Sequence, residues 1–566
     1  MQQAQNEIWK KSIQTGLIAG AVMIYVMLVG MAELFDQKEL IRELLTMGQV
    51  FLLFPPLMAG YYLAKRLNAT TTNRGLILGV SSIAGLVAAI LSVLLVIFID
   101  QVDIRDMFVN ASPKLIRLAT FELEIGAGSA MLIGISIVLS LLGAILTFTP
   151  DTLRRAIIAG IGWTLGFGLL SELGIQIGRQ IFGNGFVQSV FKNKALLPIP
   201  ALIIFIGVAI ITILWIQNRE PMQRRYDNLN AVGQRSVKFT GAGIGLIILL
   251  ILPSLLGTYL SEVLTNVGLF VLMGLGLNIA VGLAGLLDLG YVTNFAVGAY
   301  LMAVLTSTGP LGVGPFNFWL VLPLCVLLAM FTGFFFALPV LRMRGDYLAI
   351  ATLGFGEIIR LLALSDWLKP IVGGAQGIPL IPKASVFGYE LDSPERLYYL
   401  VLGACFLTLF VMLRLNNSRT GRQWMAIRED EDAASAMGID TTITKVIAFT
   451  LSAATGGLAG AIFASKVTAI FPSSFDLLKS VNTLSLIIIG GLGSIPGIVV
   501  GAAVLIGLPE LLREFSEYRL LMYGALLIYM MLTKPEGLWP SAARKRELSG
   551  DTDMVNAVPV SEGSHE

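Results

Sequence analysis

Long apolar runs separated by short polar segments are the dominant pattern of this chain. Up to about residue 239, six runs are each long enough to cross a bilayer as a helix, which takes about 20 apolar residues. They cover residues 13–32, 47–64, 76–99, 126–148, 156–177 and 197–216. The pattern therefore predicts a six-span membrane region over residues 1–239.

The second half of the chain continues this alternation with a denser glycine content. Seven further spans are predicted at 240–258, 265–283, 292–307, 317–340, 347–365, 397–413 and 446–465. Beyond residue 465 the phrase GGLGSIPG, residues 490–497, interrupts an apolar run, and such glycines break a helix. We therefore predict two separate elements, 482–490 and 497–510, and then a span at 520–532. The polar residues 541–566 predict a disordered tail.

Lysines and arginines in the short loops indicate an orientation. Those before the first run and those near 65–74, 154–155 and 219–238 fall on one side, which the positive-inside rule places in the cytoplasm. Counting crossings onward puts residues 365–396 outside and residues 414–445 inside. A single span over 482–510 would send the basic tail outside, so the rule favours the broken version. Both termini are predicted to be cytoplasmic.

Composition agrees with a membrane protein and excludes several functions. Of 566 residues, 55% are hydrophobic and only 13% are charged, and the mean hydropathy is +0.80. These values lie outside the range of soluble proteins, so we predict an all-α, polytopic transmembrane helical bundle, with broken or half helices in its C-terminal part. The net charge of +2 provides no basic field that would attract nucleic acid.

Residues that commonly carry chemistry are few. The one histidine, His565, lies in the tail, which excludes histidine-based catalysis and metal binding in the membrane. Cys325 and Cys405 lie in apolar runs without metal-ligand spacing, so free thiols are expected. No Gly-Lys dipeptide occurs, so the chain has no phosphate-binding loop and is not an ATPase of that type. We predict no catalytic residue, no metal and no cofactor bound by this chain.

A charged segment, residues 414–445, stands between two strongly apolar runs. Its helix-forming residues predict a helix from Trp424 to Met437 that ends at Gly438. A surface helix of this kind suits contact with a soluble partner. On spacing alone, an ordinary solvated loop is an equal alternative.

Acidic residues in apolar surroundings point to function by default, because charges are costly in a membrane. Asp288 lies at a span boundary, and Glu357 and Arg360 are three residues apart on one helical face, where they can pair. An ion relay through Asp288 and Glu357 is one interpretation. A helix-end role for Asp288 and a structural ion pair for Glu357 is the favoured one. Glu172 is interpreted equally as functional or as solvated at the membrane interface.

Five phrases of the second half occur together in the order of one protein family. They are GLAGLLDLGYVTNFAVGAY, RMRGDYLAIATLGFGEIIR, GGAQGIP, AIREDEDAASAMGI and GGLGSIPG. Together they resemble the branched-chain amino acid ABC transporter permeases, in particular the LivM-type subunit, over about residues 261–540. Members usually have a shorter N-terminal region. The chain is thus divided into 1–239, of unknown role, an importer permease domain at 240–540, and the cytoplasmic tail 541–566.

The resemblance implies a multi-pass permease subunit of an ATP-driven importer in the plasma (inner) membrane of a prokaryote. Its cargo would be branched-chain or related amino acids. The implied partners are a second permease subunit of the same family, two cytoplasmic ATPase subunits that use ATP, and an extracytoplasmic substrate-binding protein. From the residues alone, a self-contained ion-coupled secondary transporter or channel is the alternative.

The resemblance also implies functional residues. Residues 432–438, DAASAMG, match the E-A-A-x-x-x-G phrase with which such permeases dock their ATPases, with Asp in place of Glu. The predicted coupling helix contains Arg428, Glu429, Asp430, Glu431, Asp432, Ala433, Ala434 and Gly438. Broken helices can present backbone to a cavity, and the candidate translocation path contains Asp288, Thr352, Gly354, Gly356, Glu357, Arg360, Gly490 and Gly491.

Overall fold

The computed structural model describes residues 2–68, 73–340, 343, 345–386 and 388–511, and after these 524, 527–528, 530–534 and 536–540. The chain divides into two compact units between Leu246 and Ile247. Helices dominate both units, which confirms the predicted all-α class, and ten described helices are long and apolar enough to cross a membrane. The predicted tail 541–566 and most of the predicted span 520–532 lie outside the described residues.

The first unit contains most of the predicted N-terminal spans as continuous helices. Its elements are α1 Gln2–Leu28, α2 Met31–Asp36, β1 Glu39–Ile41, β2 Leu45–Thr46, α3 Met47–Asn68, α4 Arg74–Gln101, α5 Pro113–Ala119, α6 Ile125–Phe148, α7 Asp151–Leu169, α8 Ser171–Val190, β3 Phe191–Lys192, β4 Ala195–Leu196 and α9 Pro198–Asp227. Helices α1, α3, α4, α6 and α9 confirm five of the six predicted spans.

The remaining predicted span of this unit, 156–177, lies on a pair of helices that together are long and apolar enough to cross a membrane but are sharply bent. Helices α7 and α8 meet at Leu170 with a bend of 81°. Beyond the bend, the Ser171 hydroxyl donates to the carbonyl of Lys194. The Glu172 carboxylate lies 2.5 Å from Lys194 Nζ. Glu172 therefore sits at a helix break with a cationic partner.

A small sheet lies in segments that the hydropathy pattern left as connections. Its strand order is β2-β1-β4-β3, with antiparallel pairing inside each hairpin and one parallel link between Ile41 and Leu196. Leu40 and Leu196 are fully buried. These short strands therefore join two connections that are far apart in sequence.

Small residues set the helix spacing in the first unit. A Cβ atom on Gly60 of α3 would lie 1.9 Å from the Ser140 carbonyl oxygen of α6. A Cβ atom on Gly143 of α6 would lie 2.2 Å from the Leu57 carbonyl oxygen of α3. Because apolar side chains gain little by leaving lipid for protein, close backbone packing of this kind holds membrane helices together.

The second unit contains the glycine-rich phrases. Its elements are α10 Ala231–Asn278, which begins before the division, a π-helical segment Ile279–Leu283, α11 Val292–Thr306, α12 Phe318–Val340, α13 Asp346–Leu364, α14 Lys369–Val372, a 3-10 turn Gly374–Gln376, a β-hairpin of β5 Ser385–Val386 and β6 Tyr389–Glu390, α15 Pro394–Asn416, α16 Arg419–Glu429, α17 Glu431–Ala436, α18 Thr441–Val467, a 3-10 turn Pro472–Phe475, α19 Leu477–Gly490, α20 Ile495–Ala502, a π-helical segment Ala503–Gly507 and α21 Leu508–Leu511.

Gly257 divides the longest helix of the chain. Its backbone is non-helical, with φ 74° and ψ −177°. A continuous helix over Val232–Leu283, 52 residues, would be about 78 Å long, against about 30 Å for the hydrocarbon core. The break separates the two predicted spans 240–258 and 265–283.

The centre of the second unit is the contact of α18 with the short helix α11. A Cβ atom on Gly298 would lie 2.2 Å from the Gly457 carbonyl oxygen, and one on Gly460 would lie 1.9 Å from the Phe295 carbonyl oxygen. No side chain fits between these two backbones. The spacing of α11 and α18 therefore depends on glycine at these positions.

We expect Gly460→Ala to destabilise the protein by about 1–3 kcal/mol, because the added methyl group must push α11 and α18 apart. The matched control is Gly403→Ala in α15, where a Cβ atom meets nothing within 4 Å. Thermal unfolding of the purified chain in detergent measures both. Equal melting temperatures for the two variants would contradict the close-packing account.

The structure confirms the predicted break at GGLGSIPG. Helix α19 ends at Gly490, a turn follows, and α20 begins at Ile495 with the Ser494 hydroxyl accepting from the Gly497 amide at 3.2 Å. A Cβ atom on Gly490 would lie 2.1 Å from the Gly497 carbonyl oxygen. The two half helices thus cross in direct backbone contact, and the sequence between them supplies the turn.

Candidate functional site

The charged segment 414–445 folds as two short helices rather than one. The predicted helix from Trp424 to Met437 is wrong, because α16 ends at Glu429 and α17 starts at Glu431. Between them Asp430 is extended, with φ −155°, and its carboxylate accepts from the Ala433 amide at 2.9 Å. A short acidic side chain that caps the next helix in this way competes with helix continuation. Gly438 follows α17 with φ 84°, a left-handed conformation typical of a helix end.

Two side chains fix this segment on the start of α18. Trp424 is completely buried, and its indole N–H donates to the Thr444 carbonyl at 2.8 Å. Lys445 is 5% exposed, and its ammonium lies 2.5 Å from the Glu431 carboxylate. Since the anchors lie on both α16 and α17, the segment is held along its length.

Arg428 connects the segment to irregular backbone elsewhere in the unit. Its Nη1 donates to the Gly282 carbonyl at 2.6 Å, in the π-helical segment Ile279–Leu283. A Cβ atom on Gly285, which has φ 72°, would lie 3.0 Å from Arg428 Cγ. The side chain of Asn278 accepts from the Gly493 amide at 3.0 Å. The charged segment therefore contacts the unwound end of α10, which in turn contacts the turn between the half helices.

The remaining predicted coupling residues divide by exposure. Glu429, Asp430, Asp432, Ala433 and Gly438 are exposed, whereas Glu431 is half-buried. Ala434 is buried, at 4% exposure. Met437, which the sequence interpretation did not select, is 84% exposed. An outward face of α17 and the Gly438 turn is thus available to a partner.

Asp288, shortly before α11, and Thr352, on α13, both bond the turn that leads into α11. The Asp288 carboxylate, 2% exposed, accepts from the Gly290 amide at 2.9 Å, and the Thr352 hydroxyl accepts from the Leu289 amide at 3.0 Å. Both residues line a narrow cleft of about 20 Å³, room for about one water molecule, together with Gly290, Thr293, Asn294, Gly333, Phe336, Phe355 and Phe449. The structure therefore brings two predicted path residues to one narrow cleft, whose wall is mostly apolar.

Gly356 and Arg360 line a second narrow cleft, of about 10 Å³. It shares Thr293 with the first. Glu357 does not line it but binds Arg360, whose Nε lies 3.0 Å and 3.1 Å from the two carboxylate oxygens. This pairing agrees with a structural ion pair for Glu357.

The other predicted path residues lie apart from these clefts. A Cβ atom on Gly354 would meet nothing within 4 Å. Gly490 and Gly491 are buried where the half helices cross, and the Gly490 carbonyl accepts from the Trp539 amide at 2.9 Å. Among the described residues, no group of three or more His, Cys, Asp or Glu side chains is placed to hold a metal ion. Both cysteines are free thiols.

Half helices, unwound helix ends beside two clefts, and a charged segment fixed on them are the parts of a membrane transport permease. The model of one family, described as branched-chain amino acid transport system / permease component, matches residues 259–531. The chain belongs to this family. The matched range lies within the second unit and does not include the first.

Individual relatives support this membership. The chain is 41% identical over 302 residues to the high-affinity branched-chain amino acid transport system permease protein LivM of Escherichia coli (strain K12), covering 49% of this chain and 69% of that protein. It is 23% identical over 331 residues to the probable LivM of Methanocaldococcus jannaschii, covering 50% and 93%. It is also 29% identical over 155 residues to LivH of Escherichia coli (strain K12), covering 27% and 49%. No solved structure matches the chain.

Proposed function

We propose that this chain is one permease subunit of an ATP-driven importer of branched-chain or related amino acids. Its proposed partners are a second permease of the same family, two cytoplasmic ATPase subunits and an extracytoplasmic substrate-binding protein. Family membership supports the transporter class, and likeness to both LivM and LivH proteins supports a pair of permeases. In this proposal the chain lies in a prokaryotic plasma (inner) membrane with both termini in the cytoplasm.

The observation that carries the ATP-driven mechanism is the anchored charged segment. Its outward face, formed by Asp432, Ala433 and Met437, would receive the ATPase. Its inward face is fixed by Trp424 and by Arg428, which binds the unwound backbone at Gly282. Packed elements pass on a displacement as rigid bodies. A shift of the docked ATPase would therefore reach the broken helices directly.

The proposed path passes the two clefts that meet at Thr293. Asp288 and Thr352 would contribute to one cleft, and Gly356 and Arg360 to the other. Glu357 would act by holding Arg360 in place. Gly354 would contribute unobstructed space on α13, and Gly490 and Gly491 would allow the half helices to cross closely.

Reconstitution tests this function. The chain, assembled with its permease partner and ATPases in liposomes, is expected to take up leucine only with ATP and with leucine-loaded binding protein. The chain alone is expected to transport nothing, because its sequence has no phosphate-binding loop with which to use ATP. ATP-independent uptake by the chain alone would overturn the proposal.

An ion-coupled secondary transporter is the second candidate, and one observation favours it. Asp288 is an acid that is almost completely buried beside a cleft, as proton and ion relays require. The liposome assay separates the two candidates. If the chain is a secondary transporter, a proton or sodium gradient will drive uptake without ATP, and Asp288→Asn will abolish that uptake.

A further inference from the structure

A polar pocket of about 420 Å³ lies in the first unit. Its walls include α2 and α5, the short helices in the connections between α1 and α3 and between α4 and α6. Pockets of this size hold small ligands in proteins, whereas the two clefts beside α11 have room for little more than water. The pocket also lies outside the matched family range 259–531, so family membership assigns it no role.

The two helices bring charges of opposite sign to this pocket. Glu33 and Asp36 are three residues apart on α2, and Lys114 and Arg117 are three residues apart on α5. Residues at this spacing share one helical face, so α2 forms an acidic wall and α5 a basic wall. The exposed Glu122 is a third acid of the lining. The pocket therefore carries both signs in nearly equal numbers, which favours a zwitterion over a simple anion or cation.

On the acidic wall, each carboxylate is held through one oxygen. Glu33 Oε2 accepts from the Ser112 hydroxyl at 2.8 Å, and Asp36 Oδ1 accepts from the Thr46 hydroxyl at 2.6 Å. The second oxygen of each carboxylate is left to accept from a ligand. A primary ammonium, which has three N–H donors and no acceptor, is the complement of two such oxygens.

On the basic wall, both cations are exposed. Within the described part of the chain, the side chains of Lys114 and Arg117 make no hydrogen bond and no ion pair. They therefore do not bond the acidic wall across the pocket. A guanidinium beside an ammonium suits a phosphate group. A molecule that carries an ammonium and a phosphate a few bonds apart can bridge the two walls.

The position of the pocket favours a membrane lipid as that molecule. Its lining lies in the connections that join α1 to α3 and α4 to α6, four helices long and apolar enough to cross a membrane, and lipid headgroups lie at the ends of such spans. The same two connections contain large apolar side chains that are at least 47% exposed, namely Leu44, Met107, Val109 and Leu123. Exposed apolar side chains of this kind mark contact with a membrane.

We propose that this pocket binds the headgroup of a phospholipid with a primary ammonium, of the phosphatidylethanolamine type. The phosphate lies against Lys114 and Arg117, and the ammonium donates to Glu33 and Asp36. A quaternary ammonium has no N–H group, so the site discriminates against phosphatidylcholine. The site belongs to the first unit and holds whether or not the second unit is an importer. In the competing account the pocket contains only water and salt ions.

The test is thermal unfolding of the purified chain in detergent with added lipid. Dioleoylphosphatidylethanolamine is expected to raise the melting temperature. The same rise should need at least about tenfold more dioleoylphosphatidylcholine, which has the same acyl chains but cannot donate to the carboxylates. Glycerophosphoethanolamine, the headgroup without acyl chains, should also need a far higher concentration, because it lacks the apolar contacts.

The double variant Lys114→Gln, Arg117→Gln removes the phosphate partners. Because both side chains are exposed and unpaired, the variant should melt as the wild type does without lipid, which shows that it is folded. The phosphatidylethanolamine concentration for half-maximal stabilisation should rise about tenfold or more. The matched control is Lys65→Gln with Arg66→Gln, an exposed lysine and arginine in the last turn of α3. This control should respond to the lipid as the wild type does.

Four outcomes would overturn the proposal. Absence of stabilisation by phosphatidylethanolamine, or an equal lipid requirement in the two double variants, would leave water and salt ions as the occupants. Equal stabilisation by phosphatidylcholine would show that the acidic wall does not recognise an ammonium. Equal potency of glycerophosphoethanolamine would show that the ligand is a soluble zwitterion rather than a lipid.

Discussion

Ala433→Arg is expected to reduce ATP-driven leucine uptake at least about tenfold, as loss of a central interface contact does. The folded chain should keep its stability to within about 0.5 kcal/mol, as is usual for surface substitutions. Ala433 is exposed on α17, beside Asp432 on the face proposed to receive the ATPase. A long cationic side chain there would separate the two surfaces. Uptake in proteoliposomes and thermal unfolding of the purified permease measure the two effects.

The neighbouring residue provides the matched control. Ala434 is 4% exposed, so Ala434→Arg would force a charge into a packed contact and destabilise the charged segment by about 1–3 kcal/mol or more. It should therefore increase protease cleavage within residues 414–445, whereas Ala433→Arg should not. Wild-type uptake by Ala433→Arg would show that this face is not the docking surface, and the same cleavage in both variants would show that Ala433 does not face outward.

Trp424→Ala is expected to uncouple ATP hydrolysis from transport. The buried indole anchors α16 on the start of α18, and removal of a buried tryptophan costs about 3–5 kcal/mol of local stability. A loosened segment could still bind the ATPase but would not pass on its movement. We expect hydrolysis to continue while uptake falls at least about tenfold, measured as leucine transported per ATP hydrolysed.

Two further variants define what Trp424 contributes. Trp424→Phe keeps an aromatic ring and loses the N–H donor, so we expect a smaller loss of local stability, about 1 kcal/mol. Trp319→Ala removes an indole on α12 whose N–H donates to the Ser385 carbonyl, far along the chain from the charged segment. This variant should leave the amount of leucine transported per ATP hydrolysed unchanged. If Trp424→Ala transports as much leucine per ATP hydrolysed as the wild type, an anchoring role for Trp424 is contradicted.

Most helices could be predicted from hydropathy, because about 20 consecutive apolar residues have few stable alternatives in a bilayer. The spans at 317–340, 397–413 and 446–465 correspond to α12, α15 and α18. The bend within the predicted span 156–177 could not be predicted, for a reason that hydropathy does not record. The Leu170 bend is accompanied by bonds from Ser171 and Glu172 to Lys194, more than twenty residues away, and such pairing is visible only after folding.

The candidate site was predicted in part. The acidic cluster and the small alanines of residues 428–438 could be recognised from the chain alone. The division at Asp430 could not, since a capping carboxylate and a helix-interior carboxylate are the same residue type in different backbone conformations. The orientation of Ala433 outward and Ala434 inward also depends on packing. The position of Thr293 between the two clefts had no sequence signal, because it depends on which helices pack against α11.

The sequence by itself determined a polytopic helical membrane protein, its glycine-broken C-terminal part, its lack of an ATP-binding loop and its family resemblance. Each of these depends on composition or on short contiguous phrases, which local chemistry is sufficient to interpret. Only the tertiary structure decided that Arg428 binds the Gly282 carbonyl, 146 residues away, and that Thr293 and Arg360 share a cleft. Such contacts depend on how close glycines let the helices approach, and that distance emerges only when all the helices pack together.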